Sequence, residues 1–239
     1  MRGTVSRVVD PFLAEVDRSL GGGYSAVLYG SGARGDFIPG RSDINLMLVL
    51  DQVTPPVLRS LGRAFTAWRK SVQEPPLLVS RGEWSRATDV FPIEITDMRL
   101  SYQVLRGSDP LEGVQVDRTD LRKALEREFR GKLLRLRQGY STFAPEPAAL
   151  GSLGLQSAAT ILVLLRGMLT VIGTPVPTGA TELATAAAAA VGFESQHLLH
   201  VVQHRADREW RCGAPEFESY MDAVEQTARF VDQLQLGDV

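Results

Sequence analysis

The feature that most constrains this chain is a change of hydrophobic rhythm near residue 119. Upstream, short apolar runs are separated by turns rich in Gly and Pro; downstream, apolar residues recur at three- and four-residue spacing, with no convincing strand between them. Leu121, Leu125, Phe129, Leu133 and Leu136 mark one long helix, and the same spacing predicts helices over 153–172, 181–191, 194–210 and 215–236. Pro and Gly within 140–154 and 173–179 serve as connections. The Ala-rich run 186–190 favours helix, and no repeat of solenoid length is present.

The first half reads as mixed α and β. Val5, Val8, Val9, Phe12, Leu13, Val16 and Leu20 share one helical face, and Gly21, Gly22 and Gly23 stop that helix. Strands are expected over 24–29 and 43–50, flanking a loop that carries Gly30, Gly32, Gly35, Pro39 and Gly40. Pro55-Pro56 opens a helix through Val57, Leu58, Leu61, Phe65 and Trp68, which Glu74-Pro75-Pro76 ends. A third strand is expected over 77–80 and a fourth over 91–96, in FPIEIT. The expected fold class is α+β: a small mixed β-sheet domain over 1–115, then an all-α helical bundle domain over 116–239, joined through 107–119.

Bulk properties narrow the classes of partner. With 239 residues the chain can bury the core of one large domain or two small ones. The 26 Lys and Arg nearly balance the 28 Asp and Glu, so no overall field favours nucleic acid or an anionic membrane. Trp68, Trp84 and Trp210 are dispersed and form no stacking platform for single-stranded bases. Cys212 is the sole cysteine, which excludes an internal disulfide and fits a reducing compartment. Charged residues interrupt the N-terminal MRGTVSRVVDPFLAEVD before it reads as a signal peptide, so a cytoplasmic location is expected. The most apolar stretch, 158–171, contains Arg166 and falls short of the roughly 20 residues that span a bilayer.

Chemistry concentrates in YGSGARGDFIPGRSDINLMLVL, residues 29–50. Gly30-Ser31 follows the first strand directly, leaving backbone N–H groups and a hydroxyl where the chain turns, an arrangement suited to phosphate oxygens. Arg34 adds positive charge. Residues two apart on a strand face one side, so Asp43 and Asn45 are expected to project together toward one cation. Met47 and Val49 share that parity but are apolar, so only the strand tip is polar. A third acidic group is sought in FPIEITDM. Strand parity separates Glu94 from Asp97, and a carboxylate mid-strand among apolar neighbours is costly unless paired or ligating, which favours Glu94.

Gly30-Ser31, Arg34-Gly35-Asp36, Ser42-Asp43-Ile44-Asn45-Leu46 and a later segment bearing Glu94 resemble the polymerase-β-like nucleotidyltransferase superfamily, in particular its minimal members related to aminoglycoside nucleotidyltransferases. The close resemblance covers 24–97; the helical half matches only in type. It implies a nucleotidyltransferase domain followed by a helical substrate-binding domain, using Mg²⁺ or Mn²⁺ to move a nucleoside monophosphate from an NTP to a hydroxyl of an unidentified acceptor. It further implies that Gly30, Ser31, Arg34 and Ser42 bind phosphate, and that Asp43, Asn45 and Glu94 form the catalytic metal-binding set, where Glu94 ligates or, as in some members, acts as general base. A helix of the second domain often lends a basic residue to the triphosphate in this superfamily, which points to Arg127, Arg130 or Lys132.

Asn45 is the departure, because the superfamily pattern has Asp or Glu there. An amide oxygen still coordinates Mg²⁺, so charge is lost rather than geometry. Three readings follow: an enzyme with weakened or single-metal chemistry, a nucleotide-binding module without turnover, and a regulatory or toxin–antitoxin partner.

Other residues carry less. His197, His200 and His204 share one predicted helical face but lack the His-Glu-x-x-His order of a zinc hydrolase, and read as surface or interfacial histidines. Asp36 suits a turn and Asp51 falls beyond the strand, so neither is a preferred ligand.

Overall fold

The computed structural model describes residues 2–35, 37–38, 42–72 and 74–236. Asp36, Pro39 and Gly40, expected in the loop after Gly30, lie outside the described residues. The chain divides into two compact units, Met1–Gln115 and Val116–Val239.

The first unit is built on a four-stranded mixed sheet of order β3-β2-β1-β4. Helix α1 (Arg2–Leu20) leads into β1 (Ser25–Tyr29), the short helix α2 (Ser31–Arg34) and β2 (Asn45–Leu50). Helices α3 (Pro55–Ser60) and α4 (Gly62–Trp68) precede β3 (Leu77–Ser80), which runs parallel to β2. Helices α5 (Arg81–Trp84) and α6 (Pro92–Leu100) then lead to β4 (Tyr102–Arg106), antiparallel to β1. β1 and β2 are also antiparallel, with Tyr29 opposite Asn45, Val27 opposite Met47 and Leu28 opposite Leu46.

That register explains the alternation in both strands. Ala26, Leu28, Leu46, Leu48 and Leu50 join Val5, Val9, Phe12, Leu13 and Val16 of α1, and Leu61, Ala64 and Trp68 of the α3–α4 region, in one buried cluster. Phe12 packs edge-on against both Phe65 and Trp68, with ring centroids 5.4 and 4.8 Å away. Val27, Met47 and Val49 on the other parity are buried as well, so the central strands are covered on both faces. Phe37 and Ile44 also enter the α1 cluster, which anchors the segment after α2 to it at two points.

Two expectations need correction here. The strand expected over 43–50 begins at Asn45, which leaves Asp43 in the preceding loop. The strand expected over 91–96 is instead helix α6. Its buried residues are Pro92, Ile93, Ile95, Thr96 and Met98, a three-residue recurrence that matches a helix rather than an alternating strand. Pro92 begins it, where the missing N–H costs nothing. The fourth strand lies further on, as β4, and ends at Gly107, whose φ of 70° favours glycine.

The second unit is helical among the described residues: α7 (Arg118–Phe143), α8 (Pro147–Val171), α9 (Ala180–Val191), α10 (Gln196–Gln203) and α11 (Ala214–Gln233). The Asp117 side chain caps α7 by accepting from the Thr119 and Asp120 N–H groups. Helix α7 runs through Tyr140 to Phe143, so only a short connection separates it from α8. Helix α8 is long and apolar enough to cross a membrane by length and composition alone, at 25 residues. Within the unit its Leu150, Ile161, Leu164, Leu165, Met168 and Leu169 are buried, and it packs against α7, α9, α10 and α11. Arg166, which seemed to interrupt the apolar run, is itself only 2% exposed. Tyr220 of α11 is buried, and its hydroxyl lies 2.7 Å from that of Ser157.

Candidate functional site

The candidate site lies at one end of the sheet in the first unit. Tyr29 closes β1, Asn45 opens β2 and Tyr102 opens β4, and the register sets Tyr29 opposite both of the others. Directly opposed residues of antiparallel strands face the same side, so these three form the polar tip of a face that is otherwise Val27, Met47 and Val104.

Gly30 turns the chain away from that tip at φ 69° and ψ −147°, a conformation open essentially to glycine alone. A Cβ there would stand 2.7 Å from Nδ2 of Asn45. The turn and the Asn45 amide are therefore in intimate contact. The Gly30 carbonyl accepts hydrogen bonds from the Ala33 and Arg34 N–H groups at 3.1 and 3.0 Å, winding α2 tightly behind it. The N–H groups at the start of such a helix, here those of Ser31 and Gly32, have no partner within it.

Ser42 is occupied structurally. Its hydroxyl accepts from the Ile38 N–H at 2.9 Å, and its own N–H donates to the Ile38 carbonyl at 2.8 Å. This double link closes the loop and delivers the chain to Asp43, which is exposed, then to buried Ile44 and half-buried Asn45. Asp43 and Asn45 thus flank the tip, but no strand ladder holds Asp43.

Helix α6 brings carboxylates to the same corner by a route the strand reading did not contain. Glu94 is exposed on the first turn of α6 and Asp97 lies one turn later. Their negative charges reach Tyr29: burial first, then Glu94, then Asp97 push its phenol up to about 12. Glu94 is thus near the tip as a helix residue, and the cost of a mid-strand carboxylate, which singled it out, does not apply to it. Asp97, set aside by parity, makes the specific contact, an ion pair 3.5 Å from Arg34. Arg34 does not hang over the turn as a loose cation. Its side chain is 8% exposed and that of Asp97 13%.

Among the described residues, no group of three His, Cys, Asp or Glu side chains is placed to hold a metal ion. The donors near the turn are instead one carboxylate, Asp43, one amide, Asn45, and Glu94 on α6. All are hard oxygen ligands, which suit Mg²⁺ better than a softer transition metal. The set is sparse: two carboxylates and one amide.

The basic residues of α7 belong to the second unit and are engaged there. Arg130 pairs with Glu126 at 3.0 Å and with Asp232 of α11 at 2.9 Å. Arg127 lies 3.6 Å from Glu128, and Lys132 is half-buried. Arg122 pairs with Glu126, and Arg137 with Glu225, so much of the positive stripe serves to hold helices together. The histidines do not converge on a metal. His197 stacks on Phe193, and His204, just past the end of α10, stacks on Trp210 with centroids 4.9 Å apart. Asp51 pairs with Arg81 at 2.7 Å on the surface.

No protein-family model matches the chain, and no curated protein matches it.

Proposed function

We propose that the first unit binds the triphosphate of a nucleotide at the Gly30–Ser31 turn and transfers its nucleoside monophosphate to a hydroxyl of an acceptor, with release of pyrophosphate. The observation that carries this reading is the contact between Gly30 and Asn45. It sets the turn that opens α2 directly against the strand tip that follows Asp43.

The residues divide the work. Gly30 lets the backbone approach the phosphates, and the Ser31 hydroxyl with the first N–H groups of α2 donates to their oxygens. Asp43 and the Asn45 amide oxygen would hold Mg²⁺, with Glu94 as the third oxygen donor or as the base that receives the acceptor's proton. When bound there, the ion would supply positive charge to offset that of the phosphates. In the reaction the acceptor oxygen bonds to the α-phosphorus and the bond to the β-phosphate oxygen breaks. The proton passes to Glu94 and pyrophosphate departs.

A second reading has its own support. Nδ2 is the Asn45 atom nearest the turn, so that side chain offers an N–H donor where the superfamily's carboxylate would offer only acceptors. Such a tip suits holding a phosphate without turnover. The two readings separate in one assay. Incubation with labelled ATP, GTP, CTP or UTP, Mg²⁺ or Mn²⁺ and a panel of hydroxyl acceptors releases pyrophosphate if the chain is an enzyme, and Asp43→Ala abolishes the release. Thermal stabilisation by NTP without pyrophosphate, with activity gained on Asn45→Asp, selects the binding module. Absence of both effects removes the nucleotide from the account.

A further inference from the structure

The pairing of Arg34 with Asp97 assigns Arg34 a different task from the phosphate contact that its place in the motif suggests. We propose that Arg34 is a positioning residue: its ion pair with Asp97 ties the Gly30–Ser31 turn to helix α6 and so holds the turn in place beside Asn45. The consequence for catalysis rests on the nucleotidyltransferase reading; the tie itself does not.

Helix α2 spans only Ser31–Arg34. A single turn of helix is unstable alone, so its orientation must be set from outside. At its start the restraint is Gly30, joined to Tyr29 in the sheet. At its end the restraint is Arg34, whose side chain reaches Asp97. Helix α6 is itself fixed to the sheet, because it ends at Leu100 and β4 begins at Tyr102, which pairs with Tyr29. Turn, β1, β4 and α6 thereby form a closed ring around the strand tip. The pair is 8% and 13% exposed, so solvent screens it far less than a surface pair, and losing either partner breaks the tie between turn and helix. Glu94 is exposed on the same helix and stays available to substrate.

The two roles for Arg34 make opposite predictions for Asp97. If Arg34 only contacted phosphate, removing the Asp97 charge would leave more of the guanidinium's charge to the phosphate and tighten NTP binding. If Arg34 positions the turn, Asp97→Asn acts like Arg34→Ala.

The test uses the full chain. Hydrogen exchange, without nucleotide, is followed at the amides of Ala33, Arg34 and Gly35, which bond to the Gly30 and Ser31 carbonyls. Exchange is expected to quicken by about tenfold or more in both Arg34→Ala and Asp97→Asn, and less in Arg34→Lys, while the amides of α11 keep their wild-type rates. With Mg²⁺ and NTP, both variants lose kcat/KM by a similar factor and the double variant is no worse than either single one. Reversing the pair, Arg34→Asp with Asp97→Arg, restores slow exchange. Unchanged exchange at residues 33–35, or tighter NTP binding in Asp97→Asn, overturns the proposal. Wild-type protein that binds no NTP overturns the nucleotide reading instead, so the two fail separately.

Discussion

At Gly30 backbone strain and side-chain contact coincide, which makes this residue the sharpest point of control over the tip. Gly30→Ala forces a non-glycine residue to φ 69° and drives Cβ into the Asn45 amide. A loss of about 1–3 kcal/mol in urea unfolding is expected from the backbone alone, with loss of stabilisation by NTP. Full stability in that variant would contradict the described turn. Tyr29 offers a second probe. Its phenol is raised to about 12, so the stability gained by keeping it neutral is intact below pH 10 and drains as pH rises through 12. Since the charge on Glu94 contributes, Glu94→Gln should move one phenolate absorbance step to lower pH. An unmoved titration would place Glu94 away from the tip. At this scale the sequence was informative where chemistry depends on neighbours in the chain: Gly30, Ser31 and Asn45 stand close together in the motif. It could not disclose that Arg34 turns to Asp97, because that contact spans 63 positions.

The elements show why the remainder was hidden. FPIEIT has β-branched residues and apparent alternation, yet short apolar runs fit a buried strand and a helix equally well. Pro92 was the discriminating signal, for it opens a helix freely but removes a ladder donor from a central strand. The real edge strand, YQVLR, is only partly buried, which weakens its alternation. The longest helices suffered less ambiguity, since repetition over many turns fixes the period, but the helix expected over 194–210 is helical only over Gln196–Gln203. Element packing yields a paired prediction in the second unit. Gly151 of α8 lies against the Trp210 backbone carbonyl, in the stretch where the Cys212 N–H donates to the Pro147 carbonyl at 2.9 Å. Gly131 of α7 has open space around it. Gly151→Ala should therefore lower the thermal midpoint, whereas Gly131→Ala should raise stability by about 0.5–1 kcal/mol, both read by circular dichroism. The same direction of change in both would refute this account of helix packing.

Over the whole molecule, a mixed four-stranded sheet and a helical C-terminal region follow from the two hydrophobic rhythms. The near-balance of 26 basic and 28 acidic residues means that any attraction for a triphosphate must be local. The proposed site draws on three separated stretches, the turn at Gly30, the tip at Asp43 to Asn45 and helix α6, and under that proposal a cation would offset its acidic groups before phosphate entered. The most direct measurement is anomalous scattering from crystals grown with Mn²⁺ and a non-hydrolysable NTP. The account predicts a manganese peak within coordination distance of Asp43 and the Asn45 amide oxygen, with phosphate oxygens at the Ser31 N–H. Manganese and nucleotide bound elsewhere, or a strand tip that excludes both at saturating concentration, would contradict it.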